Sequence, residues 1–131
     1  MKLQTATRLG LYATLELARD PARTLSAADL GERFSVSIHS LAKVLRTLSA
    51  AGIVQGGRGA SGGYRFTGNR RRITLMDIVA LFEPAPGNRA AEPGDDTEIG
   101  AALQRVLTEI DEIAEATLRS ISLETMLRRS N

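Results

Sequence analysis

The chain has 131 residues, 43% of them hydrophobic and 24% charged, with no cysteine, no tryptophan and one histidine. That length suits one domain with a modest core and a short appendage, and the missing cysteines exclude disulfides, thiol switches, thiolate-held metals and cysteine-bound iron-sulfur clusters. No apolar run approaches the roughly 18 residues of a membrane span and no signal-peptide core opens the chain, so a cytoplasmic protein with no membrane partner is expected.

A net charge of +2 conceals a division: residues 1–72 hold twelve basic and four acidic side chains, and residues 73–131 hold five and eleven. Residues 33–76 include eight Lys or Arg and no Asp or Glu. An acid-free basic surface attracts phosphates, whereas an acidic half is kept away from them.

In chain order, Leu3, Leu9, Leu11, Tyr12, Leu15, Leu17 and Ala18 predict an opening helix that stops before Pro21. Ser26 and Asp29 have capping-box spacing, with Asp where Glu is usual, and open a short helix through Ala28, Leu30 and Phe34. A third helix is predicted over residues 37–50, with Leu41, Val44, Leu45 and Leu48 as its buried stripe and Gly52 as its stop. His39, Ser40, Lys43 and Arg46 or Thr47 then face away from the core, and all of them can donate to phosphates or base edges. Two such helices joined by a tight turn read either as a helix-turn-helix or as two amphipathic helices with a solvated face.

The next segment favours the first reading. Ile53-Val-Gln-Gly-Gly and Gly63-Tyr-Arg-Phe-Thr are strand-like runs around Arg58-Gly-Ala-Ser-Gly, which predicts a β-hairpin. Helix, turn, helix and hairpin make a winged helix, with the third helix in the major groove and the glycine-rich tip close to the backbone or minor groove, where Arg58 supplies charge. A phosphate-binding P-loop fails as a rival, because no Gly-Lys-Ser/Thr follows and no helix opens behind the glycines. Arg70-Arg71-Arg72 is either an added phosphate contact or a solvated run.

Thr74 and Asp77 repeat the capping-box spacing, and Leu75, Ile78, Val79 and Phe82 continue as a short helix up to Pro84. Residues 83–96 read as a loop. Its acids Glu92, Asp95 and Asp96, with Glu98, suit the N-terminus of the following helix better than a metal, since calcium-loop spacing is lacking. Ile99, Leu103, Val106, Leu107, Ile110, Ile113, Ala114, Thr117, Leu118 and Ile121 recur at helical spacing, with Glu109, Asp111, Glu112 and Glu115 expected on the outer face. One small winged helix covers too little of that stripe, so a second copy is expected to bury it, part of it folding back on its own domain as the alternative. Ile99, Leu103, Val106, Leu107, Ile110, Ile113 and Leu118 are the expected dimerisation residues. Two chains crossing there would present two recognition helices to a pseudo-palindromic site.

The expected fold is mainly α with a small β-hairpin: a winged helix-turn-helix over residues 1–83, a linker over 84–96, and a long dimerisation helix plus a short C-terminal helix over 97–131.

Met1-Lys-Leu-Gln-Thr, Ser35-Val-Ser-Ile-His-Ser-Leu-Ala-Lys-Val-Leu, Leu48-Ser-Ala-Ala-Gly-Ile-Val, Arg58-Gly-Ala-Ser-Gly-Gly-Tyr, Ile73-Thr-Leu-Met-Asp-Ile-Val and Ile121-Ser-Leu together resemble the IscR/NsrR family of bacterial transcription regulators over almost the whole chain. The resemblance implies a homodimeric winged helix-turn-helix repressor of double-stranded DNA. Ser37, His39, Ser40 and Lys43 would lie in the major groove, Arg58 and Ser61 would enter the minor groove, and Tyr64 and Arg65 would brace the wing or touch phosphate. For His39, base reading and a plain hydrogen bond to backbone or phosphate both stand.

The family's best-known members hold an iron-sulfur cluster by three cysteines in the loop matching residues 83–100, and this chain has none. The loop is also several residues shorter, so Ala90, Ala91 or Ala101 does not simply replace a cysteine. Arg8 stands where nitric-oxide-sensing members place an acid. No cofactor is expected, and the effector, a small molecule or a protein, stays open. A protein-interaction module that kept the fold and lost operator reading is the alternative. An enzyme is not expected, because one histidine without a neighbouring nucleophile or paired carboxylates forms no catalytic set.

Overall fold

The computed structural model describes residues 2–57, 62–85 and 88–130. Its elements run α1 (Thr5–Arg19), α2 (Ala27–Phe34), α3 (Ile38–Ala50), β1 (Val54–Gly56), β2 (Tyr64–Phe66), α4 (Leu75–Val79), α5 (Glu98–Arg119) and α6 (Leu123–Arg129). The architecture is the expected one, mainly helical with one antiparallel hairpin.

Helix α1 is the centre. It packs against α3, α4, α6 and β2, and its Leu9, Ala13, Leu17 and Ala18 join the buried core. Its N-terminus has no side-chain cap of its own. Glu83, after α4, supplies one from a distance: its carboxylate accepts the Gln4 N–H at 2.9 Å and the Thr7 hydroxyl. An anion beside the first turn also complements the helix dipole. Helix α4 ends at Val79 rather than reaching Pro84, and i→i−3 bonds take over, from the Leu81 N–H to the Ile78 carbonyl at 3.1 Å and from the Phe82 N–H to the Val79 carbonyl at 3.0 Å. The chain turns there, with Glu83 N–H donating to the Val79 carbonyl at 2.9 Å, and the turn brings the Phe82 ring against Gly10. A Cβ on Gly10 would lie 2.9 Å from Phe82 Cζ.

The Ser26–Asp29 capping box opens α2 with both reciprocal bonds, at 2.9 and 3.0 Å. The Ser26 N–H, aided by the Ser26 hydroxyl and the Arg33 charge, holds the Asp29 carboxyl below its ordinary value. The cap therefore supports α2 above the ordinary carboxylate range and is lost as pH falls through the lowered value. Ser35 closes α2 in the left-handed region at φ 56°, and Val36 N–H returns to the Gly31 carbonyl at 3.0 Å. Ser37 then caps α3 by accepting the Ser40 N–H at 3.1 Å. At the other end Gly52, at φ 77°, lets its own N–H reach the Ser49 carbonyl and the Ile53 N–H reach the Leu48 carbonyl, both at 3.0 Å. That pair of bonds is a Schellman motif, for which a left-handed glycine is the usual residue.

In the hairpin, Val54, Gln55 and Gly56 pair with Phe66, Arg65 and Tyr64. Leu25 adds a third edge: it exchanges backbone bonds of 2.9 and 2.7 Å with Tyr64 and so ties the wing to the α1–α2 connection.

Helix α5 departs from expectation in three places. It ends at Arg119, so Ile121 lies beyond it, where its carbonyl accepts the Leu75 N–H at 2.9 Å. Leu118 is half-buried against the core of its own chain. Asp111, expected on the outer face, is instead the buried residue of α5 and pairs with Arg89 of the loop. After α5 the chain returns to the body. Leu123 is fully buried, and Leu123 and Glu124 donate to the Ile73 and Arg70 carbonyls, each at 2.9 Å.

The inward stripe of α3 sets two expected outcomes. Leu45→Ala, at a fully buried position, should lower unfolding free energy by about 2–5 kcal/mol. Gly31→Ala should lower it by about 1–3 kcal/mol, because the added Cβ would lie 2.8 Å from the Val36 carbonyl oxygen, which is backbone that must move. Urea unfolding checks both. A Gly31→Ala protein as stable as the parent would contradict the close approach in the turn.

Candidate nucleic-acid interface

Burial of Leu41, Val44, Leu45 and Leu48 turns the opposite side of α3 outward. His39, Ser40, Lys43 and Arg46 are exposed there, and Thr47 is partly so. The hydroxyls at the front of the helix are already engaged. Ser37 accepts the Ser40 N–H as the cap and donates its own hydroxyl to Ser40 Oγ at 2.9 Å. Thr47 donates to the Lys43 carbonyl at 3.3 Å and the Arg46 Nε–H to the Ala42 carbonyl at 3.4 Å, both along the helix. Lys43 makes no ion pair among the described residues. The face is thus polar and cationic, with His39 and Lys43 exposed on it. Ile38, an exposed aliphatic, stands at the N-terminal edge of α3, beside that face rather than on it. The sequence signal for it was an isoleucine one turn before Leu41 and just inside the capping serine.

On the wing, Tyr64 is half-buried against the core with its ring over Gly56, and the Arg65 guanidinium donates to Gln55 Oε1 across the hairpin at 2.9 Å. Arg58 and Ser61 lie outside the described residues.

Several arginines of the acid-free stretch have internal tasks. Arg33 pairs with Glu16 of α1 at 2.9 Å, and Glu16 also holds Arg23 at 3.2 Å. Arg70 donates to the Ala18 carbonyl at 3.0 Å, satisfying an otherwise unpaired group at the C-terminal end of α1. Arg71 stands 3.5 Å from Glu124, and Arg72 is exposed. No local pattern announces the Arg70 contact, which spans 52 positions of sequence.

Helix α5 presents Ile99, Leu103, Val106, Leu107, Ile110 and Ile113 to solvent, with Ile99 83% and Ile113 63% exposed. A cavity of about 360 Å³ lies between the chain start, α4, the loop and α5, lined by Gln4, Met76, Glu83, Asn88, Arg89, Asp111 and Glu115 among others. Among the described residues, no helix is long and apolar enough to cross a membrane.

The sequence profile of the Rrf2 family, described as iron-dependent transcriptional regulator, matches residues 3–129. BadM of Rhodopseudomonas palustris, named as an HTH-type transcriptional regulator, is 48% identical over 128 residues, which make up 98% of this chain and 82% of that protein. CymR, the global cysteine regulator of B. subtilis, has a similar solved structure with a TM-score of 0.79 at 28% identity, covering 100% of this chain and 99% of that one. The IscR structure from T. potens gives a TM-score of 0.78 at 26% identity, covering 100% and 89%.

The residues present do not fit an iron site of the kind the family description implies. The sequence has no cysteine, and the described residues bring together no group of three or more His, Asp or Glu able to hold a metal. The match over nearly the full length, the winged helix-turn-helix and the two solved relatives together establish that this chain belongs to the Rrf2 family of transcriptional regulators.

Proposed function

We propose that the protein is a cluster-free repressor that binds a pseudo-palindromic operator as a homodimer. The observation that carries this reading is the outward face of α3, where His39, Ser40 and Lys43 are exposed at the capped start of the recognition helix. Such a helix enters the major groove with its N-terminal residues against base edges. The wing, tied through Leu25 and Tyr64, stands beside it, and Arg58 with Ser61 at its tip would meet the minor groove. Tyr64 and Arg65 would hold the hairpin at the backbone.

The dimer rests on α5. A helix that buries an aspartate and exposes six aliphatic side chains is inverted for a monomer, and an apolar stripe of this kind marks an association surface. A second copy is the natural cover, since a two-fold axis puts the same patch on both partners and sets two recognition helices for one palindrome. The cavity between the loop and α5 is the place where a small-molecule effector would reach both α5 and the α1 terminus.

Two outcomes test this reading. Ile110→Glu should give monomers in sedimentation velocity with the helical circular dichroism retained, because Ile110 is exposed in the protomer, and operator binding should collapse with the dimer. A dimer that survives the charge would remove α5 from the interface. Arg58→Ala and Lys43→Ala should each weaken operator binding and lower the slope of log affinity against log salt by about 0.9, the effect of one lost phosphate contact on duplex DNA. Binding by the parent no tighter than roughly 10⁻⁴ to 10⁻⁶ M at physiological salt, without sequence preference, would leave the protein-interaction module as the better reading.

A further inference from the structure

Ile38 occupies the first helical position of α3, between the capping Ser37 and the exposed His39. It is 56% exposed, more than any other large hydrophobic outside α5 among the described residues. Neither the buried core nor the half-buried shell around it includes Ile38. Tyr12, the next most exposed, stacks on Phe34 with ring centroids 5.5 Å apart. A branched aliphatic left in water forgoes the stabilisation that burial confers, and here it does so at the end of the helix that faces DNA.

The surrounding chemistry narrows what Ile38 meets. Ser37 spends its hydroxyl on the Ser40 N–H and on Ser40 Oγ, while Ser40 keeps its own O–H as a donor. Lys43 and His39 suit phosphates and base acceptors. Ile38 can make neither kind of bond. In the major groove, base edges offer hydrogen-bonding groups and one apolar projection, the C5 methyl of thymine. We infer that Ile38 is a specificity-determining residue that packs against a thymine methyl in each half-site. The inference rests on the DNA-binding reading above and adds to it a base identity that phosphate contacts cannot supply.

The test begins with selection of the preferred site from random duplexes by the parent protein, followed by replacement of each thymine in turn with deoxyuridine, which lacks only the methyl. At one thymine or more per half-site, the parent should lose about fourfold in affinity, the value of one methyl taken out of water. Ile38→Ala should bind the thymine and uracil duplexes equally at those positions, while Ile38→Val keeps the sensitivity. Since no charge changes, the salt slope of Ile38→Ala should equal that of the parent, and its thermal unfolding should match because the side chain is exposed. Equal methyl sensitivity of the parent and Ile38→Ala at every thymine overturns the inference and leaves DNA reading intact. Selection that enriches no sequence for the parent overturns both.

Discussion

The packing of α3 on α1 is the constraint on which the rest depends. Leu41, Val44, Leu45 and Leu48 are buried, and rotating α3 about its axis would expose them, each such side chain being worth about 1.5–3 kcal/mol when fully removed from water. The outward direction of His39, Ser40 and Lys43 follows from that burial alone. Helix α1 is itself fixed by elements from elsewhere in the chain: Glu83 at its N-terminus, Arg70 at the Ala18 carbonyl near its other end, and Leu123 in the core that it shares. The orientation of α3 is therefore a property of the whole body.

The basic stretch separates into two kinds of charge. Arg33, Arg70 and Arg71 face acids or a carbonyl of their own chain, and Arg65 braces the hairpin through Gln55. These bonds order the scaffold and leave less charge for a partner than the count suggests. Lys43 keeps its charge for solvent or ligand. Exposed ion pairs such as Arg71 with Glu124 contribute little individually, whereas Arg70 answers a backbone group that would otherwise lack a bond.

Helix α5 carries different chemistry on its two sides. Its outer stripe is aliphatic, and its inner side holds Asp111 against Arg89 and Gln104 against Asp95, which fastens the preceding loop to the helix. In this chain a salt bridge and an amide contact hold the loop, with no cysteine available to do so.

The helices, the caps at Ser26, Thr74 and Gly52, and the hairpin were legible in the sequence because each rests on local physics. Ser26 with Asp29, Thr74 with Asp77, and Gly52 act within a few residues of themselves, and the α3 stripe is a matter of period. The expectation for Asp111 failed because an acid between apolar positions reads as solvent-facing until its partner is known, and Arg89 lies 22 residues away. The early stop of α4, the third edge at Leu25, the return of α6 to the core and the anchoring of Arg70 share that cause. By itself the sequence determined the elements and the faces they prefer, since those follow from neighbours along the chain. Only the tertiary structure decided which charges are left for a partner and which aliphatics, Ile38 and the α5 stripe, are left uncovered, since that depends on contacts between residues far apart in sequence.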